Sequence, residues 1–126
     1  MTHFISSSET LVDISQLAAA LAKFSHDRDW DQFHSPKNLV MALTGEIGEL
    51  NEIFQWVSET DSWQVAQSPE TAQHVREELA DVLMYLVRLS SVLGVDLNAA
   101  VVDKLAKNAL KYPADQVRGS SKKAVG

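Results

Sequence analysis

From Leu11 to Leu110 the apolar residues recur at steps of three and four, with almost no strict alternation. That spacing winds onto one face of an α-helix and gives a β-strand no buried side. The chain is therefore expected to be all-α. Leu11, Ile14, Leu17, Ala18, Leu21 and Phe24 mark a first helix over roughly residues 10–30, with caps available at Ser8 to Thr10. A second opens at Ser35-Pro36, where Ser caps and Pro takes the first helical position, and runs to about Val57 through Leu39, Leu43 and Leu50. Ser58 to Pro69 is polar and reads as a loop. A third helix is expected from about Glu70 to Leu93, stopped by Gly94, and a fourth, capped by Asp96, over roughly 97–111 before Pro113. Four helices with a short last connection predict a four-helix antiparallel bundle over residues 1–113, followed by a flexible polar tail over 114–126.

Certain acids fall where such a bundle has no room for them. With about 100° per residue and Glu46 set at zero, Leu39 and Val57 lie at about 20°, Leu50 at about 40° and Leu43 at about 60°, so Glu46 sits inside the apolar stripe. Glu49 flanks it at about −60°, whereas Glu52 points away. Around Glu78 the same winding puts Leu89 at about 20°, Val82 at about 40° and Asp81 at about −60°. Two helices thus carry an acid in the core stripe and a second acid one turn on. Unpaired carboxylates in a core are costly, and crowded ones repel unless a positive charge sits among them. Residues three apart on a helix are neighbours, so Glu46 with Glu49 and Glu78 with Asp81 form two pincers. Facing each other, they make an all-oxygen shell of the kind hard cations such as Mg²⁺ take, with Mn²⁺ as a substitute. Salt-bridged acids on a wet helix edge are the alternative. A di-iron bundle would need Glu-x-x-His on two helices, and neither pincer has His at its second position.

Composition narrows the remaining chemistry. The 126 residues contain no Cys, which removes disulfides, thiolate metal sites and a cysteine nucleophile. Seventeen acids against eleven Lys and Arg give a net charge of −6, unfavourable for gripping the backbone of long nucleic acid. No apolar run reaches the roughly 18 residues of a membrane span, and Met1 to Ser8 lacks the start of a secretory signal, so a soluble, cytoplasmic protein is expected.

The motifs resemble those of the MazG-type all-α nucleotide pyrophosphohydrolases, whose signature is Glu-x-x-Glu followed by Glu-x-x-Asp. Here these are Glu46-Ile47-Gly48-Glu49 and Glu78-Leu79-Ala80-Asp81. The resemblance is closer to the dCTP pyrophosphatase branch, through Arg28-Asp29-Trp30-Asp31-Gln32-Phe33-His34, Pro36-Lys37-Asn38-Leu39, Phe54-Gln55-Trp56, the run Glu77 to Leu86, and Lys111-Tyr112-Pro113. It covers roughly residues 20–113. It implies Mg²⁺-dependent hydrolysis of a deoxynucleoside triphosphate, dCTP or a 5-modified dCTP, to the monophosphate and pyrophosphate, in nucleotide-pool sanitation. It makes Glu46, Glu49, Glu78 and Asp81 the metal ligands and catalytic acids, with Glu49 the choice for handling the water. A dimer or dimer of dimers is implied, with the pocket near a subunit boundary.

Trp30, Phe33, His34 and Trp56 offer aromatic faces for stacking a base and a polar edge for sorting it. The resemblance assigns that role to Trp30, His34 and Trp56; read without it, each is also an ordinary buried or interfacial side chain. Asn38 is a candidate for a base or sugar hydrogen bond, and Tyr85, one turn after Asp81, for packing on the deoxyribose. Lys104, Asn108 and Lys111 share one face of the fourth helix; by composition this is a solvated face, and by resemblance it approaches the triphosphate, with Tyr112 closing the pocket. Lys122 and Lys123 are further candidates for folding over phosphates. The competing readings are the same chemistry on dUTP or dATP, a non-catalytic nucleotide-binding bundle, and a structural bundle.

Overall fold

The computed structural model describes residues 9–121. The chain is all-α, and no strand occurs among the described residues. Two compact units are distinguished: Ile14–Gly94, and a second that joins residues 9–13 to residues 95–121.

The first unit holds α1 (Ser15–Asp27), a 3-10 turn (Asp31–Phe33), α2 (Pro36–Phe54), α3 (Glu59–Ser62) and α4 (Ala72–Leu93). α2 starts as its sequence predicts. Ser35 accepts a hydrogen bond from the Asn38 amide (3.2 Å) and Pro36 occupies the first turn, where an N–H has no helical partner. α4 ends at Gly94, whose φ of 68° is a left-handed conformation that glycine adopts without a Cβ penalty. α2 packs along α4, and α1 packs on α4. Leu39 of α2 and Val87 of α4 are fully buried, each contributing about 1.5–3 kcal/mol of transfer free energy. Ser25, Glu78 and Ser90 are the buried polar residues of this unit. Glu78 stands in the stripe that begins at Val75, where the helical phase placed it.

In the second unit α5 (Leu97–Lys111) and α6 (Ala114–Val117) follow residues 9–13. Asp96 caps α5 by accepting from the Ala99 amide (3.0 Å). The Asn98 side chain pins the preceding segment. Its Oδ1 accepts from the amides of Leu11 (2.7 Å) and Val12 (2.9 Å), and its Nδ2 donates to the Glu9 carbonyl (2.8 Å).

Four boundaries differ from expectation, the first for a long-range reason and the others for local ones. The first helix begins at Ser15 rather than near 10, because the amides of Leu11 and Val12 are taken by Asn98 instead of by a helix. α2 stops at Phe54, three residues before Val57, whose amide closes a tight turn onto the Phe54 carbonyl (3.0 Å). The expected loop over 58–69 contains α3, capped by Ser58 on the Asp61 amide (3.1 Å). α4 begins at Ala72 because a turn at Ser68 intervenes, its carbonyl accepting from the Thr71 and Ala72 amides. The segment 114–126, read as a tail, opens with the helical turn α6; Lys122 and Lys123 lie outside the described residues.

Candidate active site

Helical periodicity brings Glu46 and Glu49 of α2 against Glu78 of α4. One carboxylate oxygen from each lies within 4.8 Å of the others. Glu78 is buried, Glu46 half-buried and Glu49 exposed, so the cluster runs from the helix interface out towards solvent. Glu46 Oε2 and Glu78 Oε2 are buried without a hydrogen-bond partner among the described residues. The Glu46 carboxyl is pushed up to about 7, first by its hydrogen bond with Glu78, then by burial and by the charges of Glu49, Asp81 and Glu78. Carboxylates at this separation coexist only when a proton or a cation sits among them. The donor set is all oxygen, two of its buried lone-pair atoms have no partner, and its outer edge is open. It therefore fits a hard divalent cation that keeps some of its waters. His74, one turn before Glu78, places its Nε2 3.4 Å from Glu78 Oε1. Its spacing of four residues from Glu78 is the sequence signal for that contact.

Asp81 belongs to both halves of the site. Its charge acts on Glu46, and it lines a cavity of about 320 Å³ walled by residues of α1, by the two residues that flank the 3-10 turn and by residues of α4. Leu21, Phe24 and Met84 make the cavity apolar; Trp30, His34 and Tyr85 add rings, and Ser25 and Arg88 its polar end. The turn after α1 aims these rings. Asp29 takes φ 54°, a left-handed conformation that a short polar side chain tolerates, and its carboxylate accepts from Gln32 Nε2 (2.9 Å). Trp30 then stands edge-on to Phe24 (centroids 5.6 Å apart) and to His34 (6.5 Å). His34 Nδ1 accepts from Arg88 Nε (3.2 Å) and lies 3.3 Å from Ser25 Oγ. Burial, followed by the Arg88 charge, lowers the His34 pKa, and Asp31 offsets part of this.

The structure thus gathers seven of the residues singled out in the sequence: the four acids with Trp30, His34 and Tyr85. Asn38 does not line the cavity; its Nδ2 donates to the Phe33 carbonyl (3.0 Å) and ties the 3-10 turn to α2. Trp56, 89% exposed, stands past the end of α2 beside a second depression lined by Ser58, Asp61 and Val65. Phe33 is also exposed and lines neither. Lys104, Asn108 and Lys111 lie along α5 in the second unit, where the Lys111 ammonium is 5.8 Å from the centre of the Tyr112 ring. Arg88 was legible from α4's phase, since it falls about 20° from Asp81 after seven residues. Ser25 carried no comparable signal.

A model of the MazG-like family matches residues 42–125, about two thirds of the chain, including both acid motifs. The chain belongs to the MazG-like family. It is 47% identical over 112 residues to dCTP pyrophosphatase 1 of Mus musculus, covering 89% of this chain and 64% of that protein. To dCTP pyrophosphatase 1 of Homo sapiens it is 46% identical over 114 residues, covering 90% of this chain and 65% of that one. It therefore spans slightly under two thirds of the length of these relatives. Its fold is similar to that of a pyrophosphatase from Archaeoglobus fulgidus DSM 4304, with a TM-score of 0.74 and 35% identity over 90% of this chain and 99% of that one. This MazG-like chain has no single helix, among its described residues, long and apolar enough to cross a membrane.

Proposed function

We propose that this chain hydrolyses a deoxynucleoside triphosphate between the α and β phosphorus atoms, with dCTP or a 5-modified dCTP as substrate. The observation that carries this reading is the carboxylate cluster with two partnerless buried oxygens, joined through Asp81 to an aromatic cavity. Identity of 46–47% to proteins named dCTP pyrophosphatase 1 supports the substrate. A volume of about 320 Å³, near the lower end for ligand sites, suits a single-ring base.

Glu46, Glu49, Glu78 and Asp81 hold Mg²⁺, for which Mn²⁺ substitutes. The chemistry supplied by the bound ion is neutralisation of triphosphate charge and polarisation of the phosphoryl group. In the reaction a water oxygen bonds to the α-phosphorus, the bond from that phosphorus to the bridging oxygen breaks, and pyrophosphate leaves with the bond's electrons. Glu49, the exposed member of the cluster, takes the water's proton. Trp30 stacks on the base, His34 reads its edge and Tyr85 packs on the sugar. Lys104, Asn108 and Lys111 receive the outer phosphates, and Tyr112 covers them. Asn38 gives a hydrogen bond to the base or sugar, and Trp56 gives the base an aromatic face from across a subunit boundary of a homo-oligomer, a dimer or dimer of dimers; the exposure of Trp56 and of Trp63 (81%) supports an apolar interface. The setting is cytoplasmic nucleotide-pool sanitation, without membrane or long nucleic acid as partner.

The test is a panel of dNTPs, NTPs and 5-methyl-dCTP incubated with Mg²⁺, Mn²⁺ or EDTA, with products resolved as monophosphate plus pyrophosphate or diphosphate plus phosphate. Metal-dependent dCMP and pyrophosphate are expected. Preference for dUTP or dATP would keep the chemistry and overturn the base assignment. Nucleotides bound but left intact would replace the enzyme by a non-catalytic binding bundle.

A further inference from the structure

Among the described residues, Arg88 is the one Lys or Arg in a cavity wall that is otherwise mostly apolar. Its side chain is only 12% exposed, and its Nη2 donates to Asp31 Oδ1 at 2.9 Å. Its Nε donates to His34 Nδ1. A guanidinium has five N–H donors and no acceptor, so the Nδ1 atom it meets must present a lone pair. Neutral His34 then carries its proton on Nε2, and buried Ser25 stands where its hydroxyl can donate to the same Nδ1. The imidazole is left with a donor, not an acceptor, for a ligand. Arg88 Nη1 makes no hydrogen bond among the described residues. Arg88 and His34 thus bring N–H groups to the cavity they line, beside the Ser25 hydroxyl and the Asp81 carboxylate.

We propose that Arg88 and His34 form a donor pair that reads a carbonyl oxygen on the base, which makes Arg88 a specificity-determining residue of this chain. The inference rests on the nucleotide reading above and deepens it by naming the chemical feature selected: an exocyclic C=O, present on cytosine, uracil, thymine and guanine and absent from adenine. A site built to donate to an oxygen rejects a base lacking it, because its own buried donors are then left unpaired. Asp31 holds the guanidinium in place, and Arg88 in turn holds the tautomer of His34.

The experiment pairs selectivity with a direct view of the imidazole. In the wild-type protein, long-range ¹H–¹⁵N correlation should show His34 as the Nε2–H tautomer; an Nδ1–H tautomer overturns the proposal without recourse to any variant. Arg88→Met should lower the kcat/KM ratio of dCTP over dATP by about tenfold or more, with the loss falling mainly on KM for dCTP. The same variant should give a mixed His34 tautomer. Arg88→Lys, which keeps the charge but not the planar fork, should fall between the two. An unchanged dCTP/dATP ratio in folded Arg88→Met or Arg88→Lys overturns the proposal. Binding of dCMP and dAMP in EDTA separates this inference from the hydrolytic one. If no nucleotide is turned over but dCMP binds more tightly than dAMP and Arg88→Met removes that preference, only hydrolysis has failed. If turnover is intact with no preference for carbonyl bases, only the present inference has failed.

Discussion

The acid cluster and the aromatic cavity lie side by side along α4, yet they are assembled in different ways. The cluster is a product of helical phase: Glu46 and Glu78 each replace an apolar residue in a stripe, so packing α2 on α4 brings them together. The cavity is a product of a turn. Asp29 in a left-handed conformation and the 3-10 turn after it bring Trp30 and His34 back over α1 and α4. The first arrangement stores electrostatic repulsion that a bound cation would relieve; the second offers shape and donors. One region is accordingly suited to chemistry and the other to choice of substrate.

The sharpest way to break that division is at Glu78. Glu78→Gln keeps the shape and removes one buried ligand charge, so turnover of dCTP should fall by at least about a hundredfold, the upper range seen even for residues one step removed from a metal. Its melting temperature in EDTA should stay level or rise because a repulsive charge has gone. A modest loss in turnover would mean that the cluster is not the reacting centre.

On the cavity side, Trp30→Ala should raise KM for dCTP by about tenfold, the size of one lost base-stacking contact. Steady-state kinetics should show kcat moving less than KM; the reverse split would place Trp30 in the chemistry and blur the two regions.

A smaller effect separates them by pH. Glu46 titrates near 4.5 when unfolded and at about 7 when folded. Between those values the folded protein holds the extra proton, so its stability in EDTA should fall as pH rises from about 4.5 to about 7 and then level. His34, whose folded pKa is lowered, works in the opposite direction below pH 6.5. Thermal melts across this range should show the decline in the wild-type protein and lose it in Glu46→Gln. Added Mg²⁺ should raise the melting temperature most at the high-pH end, where the acids are ionised.

The smallest change expected is at the turn. Asp29→Gly should leave stability within about 0.5 kcal/mol, whereas Asp29→Val, which resists a positive φ, should cost about 1–2 kcal/mol. Urea unfolding of the two variants measures the difference.

Much of the first region was legible because a helix has one period. Glu46, Glu49, Glu78 and Asp81 can be phased by arithmetic, and the caps at Ser35 and Asp96 and the stop at Gly94 act within three residues of themselves. The second region was legible only as a set of residue types. Trp30, His34 and Tyr85 were singled out as chemistry, but nothing local distinguishes them from Trp56, which stands apart and exposed. The bond from Arg88 to His34 spans 54 positions and that from Asn98 to Leu11 spans 87. No periodic pattern carries such pairs.

By itself the sequence determined that the chain is helical, where α2 and α5 begin and α4 and α5 end, and that two helices carry acids on a face meant for the core. These properties follow from backbone geometry repeating every 3.6 residues and from capping bonds that close locally. Only the tertiary structure decided that Asp81 is shared between the acids and the cavity, that Arg88 sets the tautomer of His34, and that Asn98 replaces the expected first turn of α1. Those outcomes depend on directional bonds between side chains far apart in the chain, whose geometry exists only after the helices have packed.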